Sequence, residues 1–204
     1  ELKPMEPALQ YLPILDRYGT HLKVFFTDAG AAALARRDWA DTPYTIQSID
    51  IQGTRQTTPV DELIEPEDQA FVFVSPSAVE VGLVEQMANA AGDRPVILFN
   101  PRLEDVSIVG IGFTARKLRE RFLNTIEPCY YLKPLESLAI LRLYPSLWQV
   151  WAESVEGYTL VAEDPQKPTL ERLDQILTEV MGIKQTPTQG MFAGLQRILR
   201  AIGR

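Results

Sequence analysis

The chain has 204 residues, of which 46% are apolar and 23% charged; this suits one domain, or one domain with an appendage, and argues against global disorder. A formal net charge of −7 argues against a general nucleic-acid binder, whose footprint is basic. No apolar run approaches the roughly 18 residues of a membrane-spanning helix, no segment reads as a secretory signal, and one cysteine with one histidine excludes internal disulfides and Cys- or His-cluster metal sites.

In chain order, residues 22–27 (LKVFFT) are a short run of strand formers with His21 at its entrance, and the helix formers of residues 31–39 follow. Residues 44–51 alternate as a strand does, and a polar loop with Asp61, Glu62, Glu65, Glu67 and Asp68 comes next. The continuous apolar run of residues 70–74 (AFVFV) suits a strand buried on both faces of a parallel sheet. Ser77 with Glu80 forms a capping-box pattern that opens a helix running to Ala91 and stopped by Gly92. Residues 95–99 (PVILF) make another buried strand, ending in Asn100-Pro-Arg102. This alternation predicts a parallel α/β core.

Gly110-Ile-Gly112-Phe-Thr-Ala115 matches the G-x-G-x-x-A dinucleotide fingerprint letter by letter, but it follows the parallel strands and lacks the acidic residue expected about 20 positions on. A tight helix entrance is the better reading, with glycines supplying positive φ or close helix packing. The helix after it, to about Ile126, has a basic face of Arg116, Lys117, Arg119 and Arg121. That face is either a solvated surface paired to Glu120 or Glu127, or a partner-facing surface led by Arg116 and Arg119. Cys129 precedes Tyr-Tyr-Leu and reads as a buried small hydrophobe.

Residues 130–132, 138–144, 148–153 and 158–163 are four strands with short connections, Glu156-Gly157 being a hairpin turn. Trp148 and Trp151 stand three apart, so on a strand they point to opposite faces; one belongs to the core and the other suits an aromatic anchor for a partner. After Pro168, a helix from Thr169 carries Leu170, Leu173, Ile176, Leu177 and Val180 on one stripe. The expected class is α/β: a parallel Rossmann-like sheet followed by an antiparallel meander with covering helices. Residues 1–182 form a single domain in this reading.

Residues 183–204 form a separate basic tail with four cations and no acid, which leaves −11 on the rest of the chain. Met191, Leu195, Ile198, Leu199 and Ile202 form an apolar stripe at helical spacing beside Phe192, with Arg197 and Arg200 largely outside it. Such a segment docks on its own domain, in a partner's groove or on an anionic membrane surface.

Ligands of parallel sheets bind beyond the carboxyl ends of the strands. Three strand-to-helix junctions meet there: Asp28 to Gly30, Ser75 to Ser77, and Asn100 to Arg102. Their carboxylate, hydroxyls, amide, guanidinium and helix N-terminal amides suit an anion such as phosphate; alternatively, Asp28, the serines and Asn100 only cap helices and turns. No cofactor and no catalytic set is expected, and one unplaced histidine allows no triad.

Several strings taken together carry a family resemblance. They are Asp28-Ala-Gly-Ala-Ala-Ala-Leu-Ala-Arg-Arg-Asp-Trp39, Ser75-Pro-Ser-Ala-Val-Glu80, Phe99-Asn-Pro-Arg-Leu-Glu-Asp105, Val109-Gly-Ile-Gly-Phe-Thr-Ala-Arg116, Tyr144-Pro-Ser-Leu-Trp-Gln-Val-Trp151 and Asp164-Pro-Gln-Lys-Pro168. Over roughly residues 22–182 the chain resembles the cyanobacterial and chloroplast domain-of-unknown-function family that contains the plant Low PSII Accumulation proteins. A related domain is fused to a chloroplast adenylate kinase. That family usually has a further helix and strand upstream of Glu1, so the chain is expected to lack its first elements. The resemblance implies an auxiliary factor on the cytoplasmic or stromal side of the thylakoid that helps assemble photosystem II. Its implied partners are photosystem II subunits or other assembly factors, with peripheral membrane contact through the tail. The family has no established catalytic residues to carry over.

Overall fold

The computed structural model describes residues 4–49, 59–103 and 112–181. Two compact units divide the chain, Glu1–Thr125 and Ile126–Arg204, each built on one four-stranded sheet. The expected fold class holds, with a parallel sheet first and an antiparallel meander second.

In the first unit, α1 (Met5–Tyr11) and a 3-10 run (Leu12–His21) lead into β1 (Leu22–Phe26). Then come α2 (Ala29–Asp38), β2 (Thr45–Ser48), α3 (Val60–Leu63), β3 (Ala70–Val74), α4 (Val81–Ala91), β4 (Val96–Phe99) and α5 (Phe113–Arg121). The strands run parallel in the order β2-β1-β3-β4. β1 and β3 are central and every residue in them is buried, which is why β3 reads as an unbroken apolar run and β1 as one broken only by Lys23. One face of the sheet packs Val24, Phe26, Ile46, Val72 and Val74 against Leu12, Leu15, Ala32, Ala35 and Trp39. On the other face, Phe25 stacks on Phe73 with ring centroids 5.1 Å apart.

Local chemistry sets the boundaries. The Asp28 carboxylate accepts from the Ala31 N–H at 2.7 Å and caps α2. α4 stops at Gly92, where φ is +60°, a conformation glycine adopts without steric cost. The capping-box chemistry at Ser77 also forms: its N–H donates to the Glu80 carboxylate at 2.8 Å and its hydroxyl accepts from the Val79 N–H at 3.2 Å. The helix nevertheless begins at Val81 and not at Ser77. Ser77 forms a parallel bridge with Arg102, which extends the β3–β4 pairing past both strands and leaves residues 78–80 as a turn.

Two expectations about α5 need correction. Gly112 has φ −74°, and a Cβ there would have no heavy atom within 4 Å, so neither a left-handed turn nor close packing requires glycine; Gly110 lies outside the described residues. The basic face is not paired with Glu120 or Glu127. Arg121 makes a two-pronged ion pair with Glu85 of α4, at 2.5 and 2.9 Å, while Glu127 takes Arg142 at 3.1 Å.

In the second unit, β5 (Tyr130–Pro134), β6 (Leu138–Leu143), β7 (Trp148–Ser154) and β8 (Gly157–Asp164) pair in sequence order, and α6 (Leu170–Met181) follows. Leu173 and Ile176 of α6 close a core over Leu138, Ile140, Trp148, Val150 and Ala152. The Thr169 hydroxyl caps α6 by accepting from the Arg172 N–H at 3.2 Å. The β7–β8 hairpin turns through Val155 and Glu156, one residue earlier than expected, with Gly157 at φ +119° paired to Ser154. Cys129 is exposed and not buried. It sits just ahead of β5, an edge strand whose residues alternate between exposed and half-buried, and so lies outside the packed part of the sheet. His21 is exposed at the entrance to β1.

Candidate functional site

Two surfaces gather the residues singled out in the sequence. At the carboxyl edge of the parallel sheet, the order β2-β1-β3-β4 puts a switch point between β1 and β3, the usual place for a ligand in open α/β sheets. Asp28 follows β1, Ser75 follows β3 and Asn100 follows β4, so the three junctions belong to adjacent strands. The last two are stitched together: the Ser75 N–H donates to the Phe99 carbonyl at 2.7 Å and the Arg102 N–H to the Pro76 carbonyl at 2.8 Å.

Much of the polar chemistry on this edge is used locally. Asp28 caps α2, with its Oδ1 3.1 Å from where a Cβ on Gly30 would stand. Ser77 spends its amide and hydroxyl on Glu80 and Val79. Ser75 and Asn100 differ, because both hold a left-handed backbone at φ +51° and +50°. The Ser75 hydroxyl is inaccessible and has no hydrogen-bond partner.

The second surface is the face of the antiparallel sheet opposite α6. Side chains alternate along a strand, so Leu138, Ile140 and Arg142 of β6 point to the α6 side and Ala139, Leu141 and Leu143 to the other. Pairing carries this across the sheet: Tyr130 lies opposite Leu143, Leu132 opposite Leu141, Ala139 opposite Trp151 and Trp151 opposite Leu160. Among the described residues, no helix of this unit covers the face. Tyr130 is 67% exposed and Tyr158 55%, and Leu132, Leu143 and Leu160 are also exposed.

A β-bulge between β7 and β8 completes the patch. The register shifts at Val150/Trp151, so Val150 faces Ala162 while Trp151 faces Leu160. Val161 is the extra residue, and it packs with Ala162 toward the α6 core. Strict alternation from Glu163 would have put Val161 and Thr159 on the open face. The extra residue puts Leu160 and Tyr158 there instead.

Trp148 and Trp151 occupy opposite faces. Trp148 is 5% exposed within the α6 core, with Tyr131 edge-on to it at 5.3 Å. Trp151 is half-buried on the open face, where its indole N–H donates to Gln149 Oε1 at 3.2 Å. Gln149 Nε2 in turn donates to Glu163 at 3.0 Å. This relay fixes the orientation of a large amphipathic ring on the surface, as an aromatic anchor needs. Arg116 is exposed and Arg119 half-buried on α5, in the first unit. Met191, Phe192, Leu195, Arg197, Ile198 and Arg200 lie outside the described residues.

Of the residues at the bulge, Trp151 stands out in the sequence but Leu160 and Val161 do not, since a pattern of period two does not reveal where an extra residue enters. Among the described residues no group of three or more His, Cys, Asp or Glu side chains is placed to hold a metal, and no helix is long and apolar enough to cross a membrane.

The sequence model of a family described as "Domain of unknown function (DUF1995)" matches residues 1–175. The chain belongs to this family. The DUF1995 match takes in both sheets and the first half of α6, so the open face and the carboxyl edge both lie within it. Residues 183–204 lie beyond the DUF1995 match. No solved structure matches the chain.

Proposed function

We propose that this protein is a non-catalytic auxiliary factor for photosystem II assembly and accumulation, acting by protein–protein docking at the cytoplasmic face of the thylakoid. The observation that carries the docking reading is the apolar face of the antiparallel sheet opposite α6, with Tyr130, Leu132, Leu143, Tyr158 and Leu160 exposed around Trp151. Contiguous apolar surface of this kind, holding fixed aromatic side chains, marks interaction sites. The photosystem part of the proposal is supported by the resemblance of the sequence strings to the Low PSII Accumulation proteins, alongside membership of DUF1995. Photosystem II subunits, or other assembly factors bound to them, are the partners that reading supplies.

The test is affinity capture from solubilised thylakoids with mass spectrometry, using the native protein beside a Tyr130→Glu/Leu143→Glu variant. The native protein should enrich photosystem II subunits and the variant should lose them while keeping its thermal midpoint. Recovery of no photosystem subunit, or equal recovery by both proteins, overturns the proposal.

A second reading is supported by Ser75 and Asn100. Left-handed backbone at non-glycine residues costs free energy and gathers at functional sites; here two such residues end adjacent strands beside the switch point. In this reading the edge binds a phosphate-bearing small molecule. Calorimetry with inorganic phosphate and with nucleotides tests it, and the absence of heat with all of them removes it.

A further inference from the structure

Building on the docking reading, we propose that the open face of the antiparallel sheet receives a basic amphipathic helix of a partner protein. The helix lays an apolar stripe on the sheet and bonds a lysine or arginine to Glu153 or Glu163 at the rim. Charge is the first reason. Among the described residues of β5 to β8, the only charged side chains on this face are Glu153 and Glu163; Lys133, Arg142 and Asp164 lie on the α6 side. Both glutamates are exposed, and Glu163 accepts from the neutral amide of Gln149. The face is therefore apolar with an acidic rim.

The covered face shows how this sheet takes a helix. α6 lays Leu173 and Ile176 on Leu138, Ile140 and Val150, and its Arg172 guanidinium donates to the Asp164 carboxylate of β8 at 3.2 Å. Glu163, the preceding residue of β8, offers the same group to the opposite face. Glu153 lies four residues along β7 from Gln149, the residue that pairs with Glu163. The two strand positions are therefore about 14 Å apart along the strands, the length of about nine helical residues. A helix about 10 Å in diameter also fits across four strands that span about 14 Å. A second copy of this face is a poorer occupant, because it brings two further carboxylates and no cation. An anionic bilayer is repelled by the same pair.

The test titrates the full chain with two synthetic peptides while methyl groups are observed by NMR. Both carry leucines at helical i, i+3, i+4 spacing; one has lysines at its remaining positions and the other glutamates. The lysine peptide should shift the methyl signals of Leu132, Leu143 and Leu160 and leave those of Leu173 and Ile176 in place, and the glutamate peptide should shift none of them. Glu153→Gln/Glu163→Gln should weaken the lysine peptide by about fivefold to tenfold. Glu171→Gln/Glu179→Gln, which removes the same charge from exposed positions on α6, should leave its affinity unchanged. No shift with the lysine peptide, equal shifts with both peptides, or shifts confined to the α6 side overturn the proposal, as does equal weakening by the two double variants. Open-face shifts that follow protein concentration without peptide assign the face to a second copy and overturn it too. So do open-face shifts produced by phosphatidylglycerol vesicles and not by the lysine peptide. The measurement contains no photosystem protein, so its failure leaves the docking proposal standing and failure of the capture experiment leaves this one standing.

Discussion

Lys23 and Asp68 meet at 3.0 Å in the interior of the first unit, with their side chains 2% and 6% exposed. Lys23 lies on β1 beside Phe25, on the same face of the sheet. Its ammonium also donates to Glu65 at 2.9 Å and to the Leu63 carbonyl at 3.1 Å. Arg94 holds the same loop from the other side, donating to the carbonyls of Glu65 and Asp68 at 2.9 and 3.1 Å. Two cations thus tie the segment after α3 to the sheet. Breaking a buried pair by removing one partner leaves an uncompensated charge and costs about 3–5 kcal/mol. Asp68→Ala should fall near the low end of that range, because Glu65 remains. Glu65→Ala, whose carboxylate is mostly exposed, should cost under about 1 kcal/mol. Urea unfolding midpoints check both, and a Lys23→Met/Asp68→Leu double variant should recover most of the loss.

Tyr44 is buried and its hydroxyl is bonded to the Asp16 carboxylate. Burial first, and then that hydrogen bond, raise its pKa well above the ordinary tyrosine value. The folded protein therefore keeps a proton that the unfolded chain releases near pH 10. The stabilisation is fully present below about pH 10 and declines as the pH rises past it. Between about pH 9 and 11 the unfolding free energy of the native protein should fall more steeply than that of Tyr44→Phe. Parallel slopes would remove Tyr44 from the alkaline transition.

Ser75 combines a left-handed backbone with an unpartnered buried hydroxyl. Left-handed φ costs an L-residue roughly 1–2 kcal/mol, and glycine avoids that steric penalty. Ser75→Gly should raise stability by about 1 kcal/mol, whereas Ser75→Val should lower it, since a β-branched residue tolerates this conformation worst. Thermal midpoints of the two variants moving in opposite directions is the expected outcome.

The bulge in β8 gives adjacent residues opposite sensitivities. Leu160 is exposed on the open face, whereas Val161 packs toward the α6 core. Val161→Glu places a carboxylate beside that core and should cost about 2–4 kcal/mol, while Leu160→Glu should change stability by about 0.5 kcal/mol or less. Chemical denaturation of the two variants checks this, and equal losses would contradict the register.

Much of the architecture was legible in residue patterns. AFVFV announces a strand buried on both sides, since only a doubly covered parallel strand tolerates five apolar residues in a row; Asp28, Thr169 and Gly92 mark helix ends through short-range hydrogen bonding and backbone sterics. The spacing of Trp148 and Trp151 places them on opposite faces because a strand repeats every two residues. These are local rules, readable along the chain. Lys23 within LKVFF looked like part of an ordinary strand, and its acidic partners lie more than 40 residues away. Nothing near Cys129 says that it precedes an edge strand, and nothing in the alternation of GYTLVAED says that Val161 is the extra residue. Local propensity and period determine which elements form and which residues are apolar. Long-range pairing decides which apolar residues the protein buries and which it leaves on its surface, because burial depends on neighbours that only folding brings together.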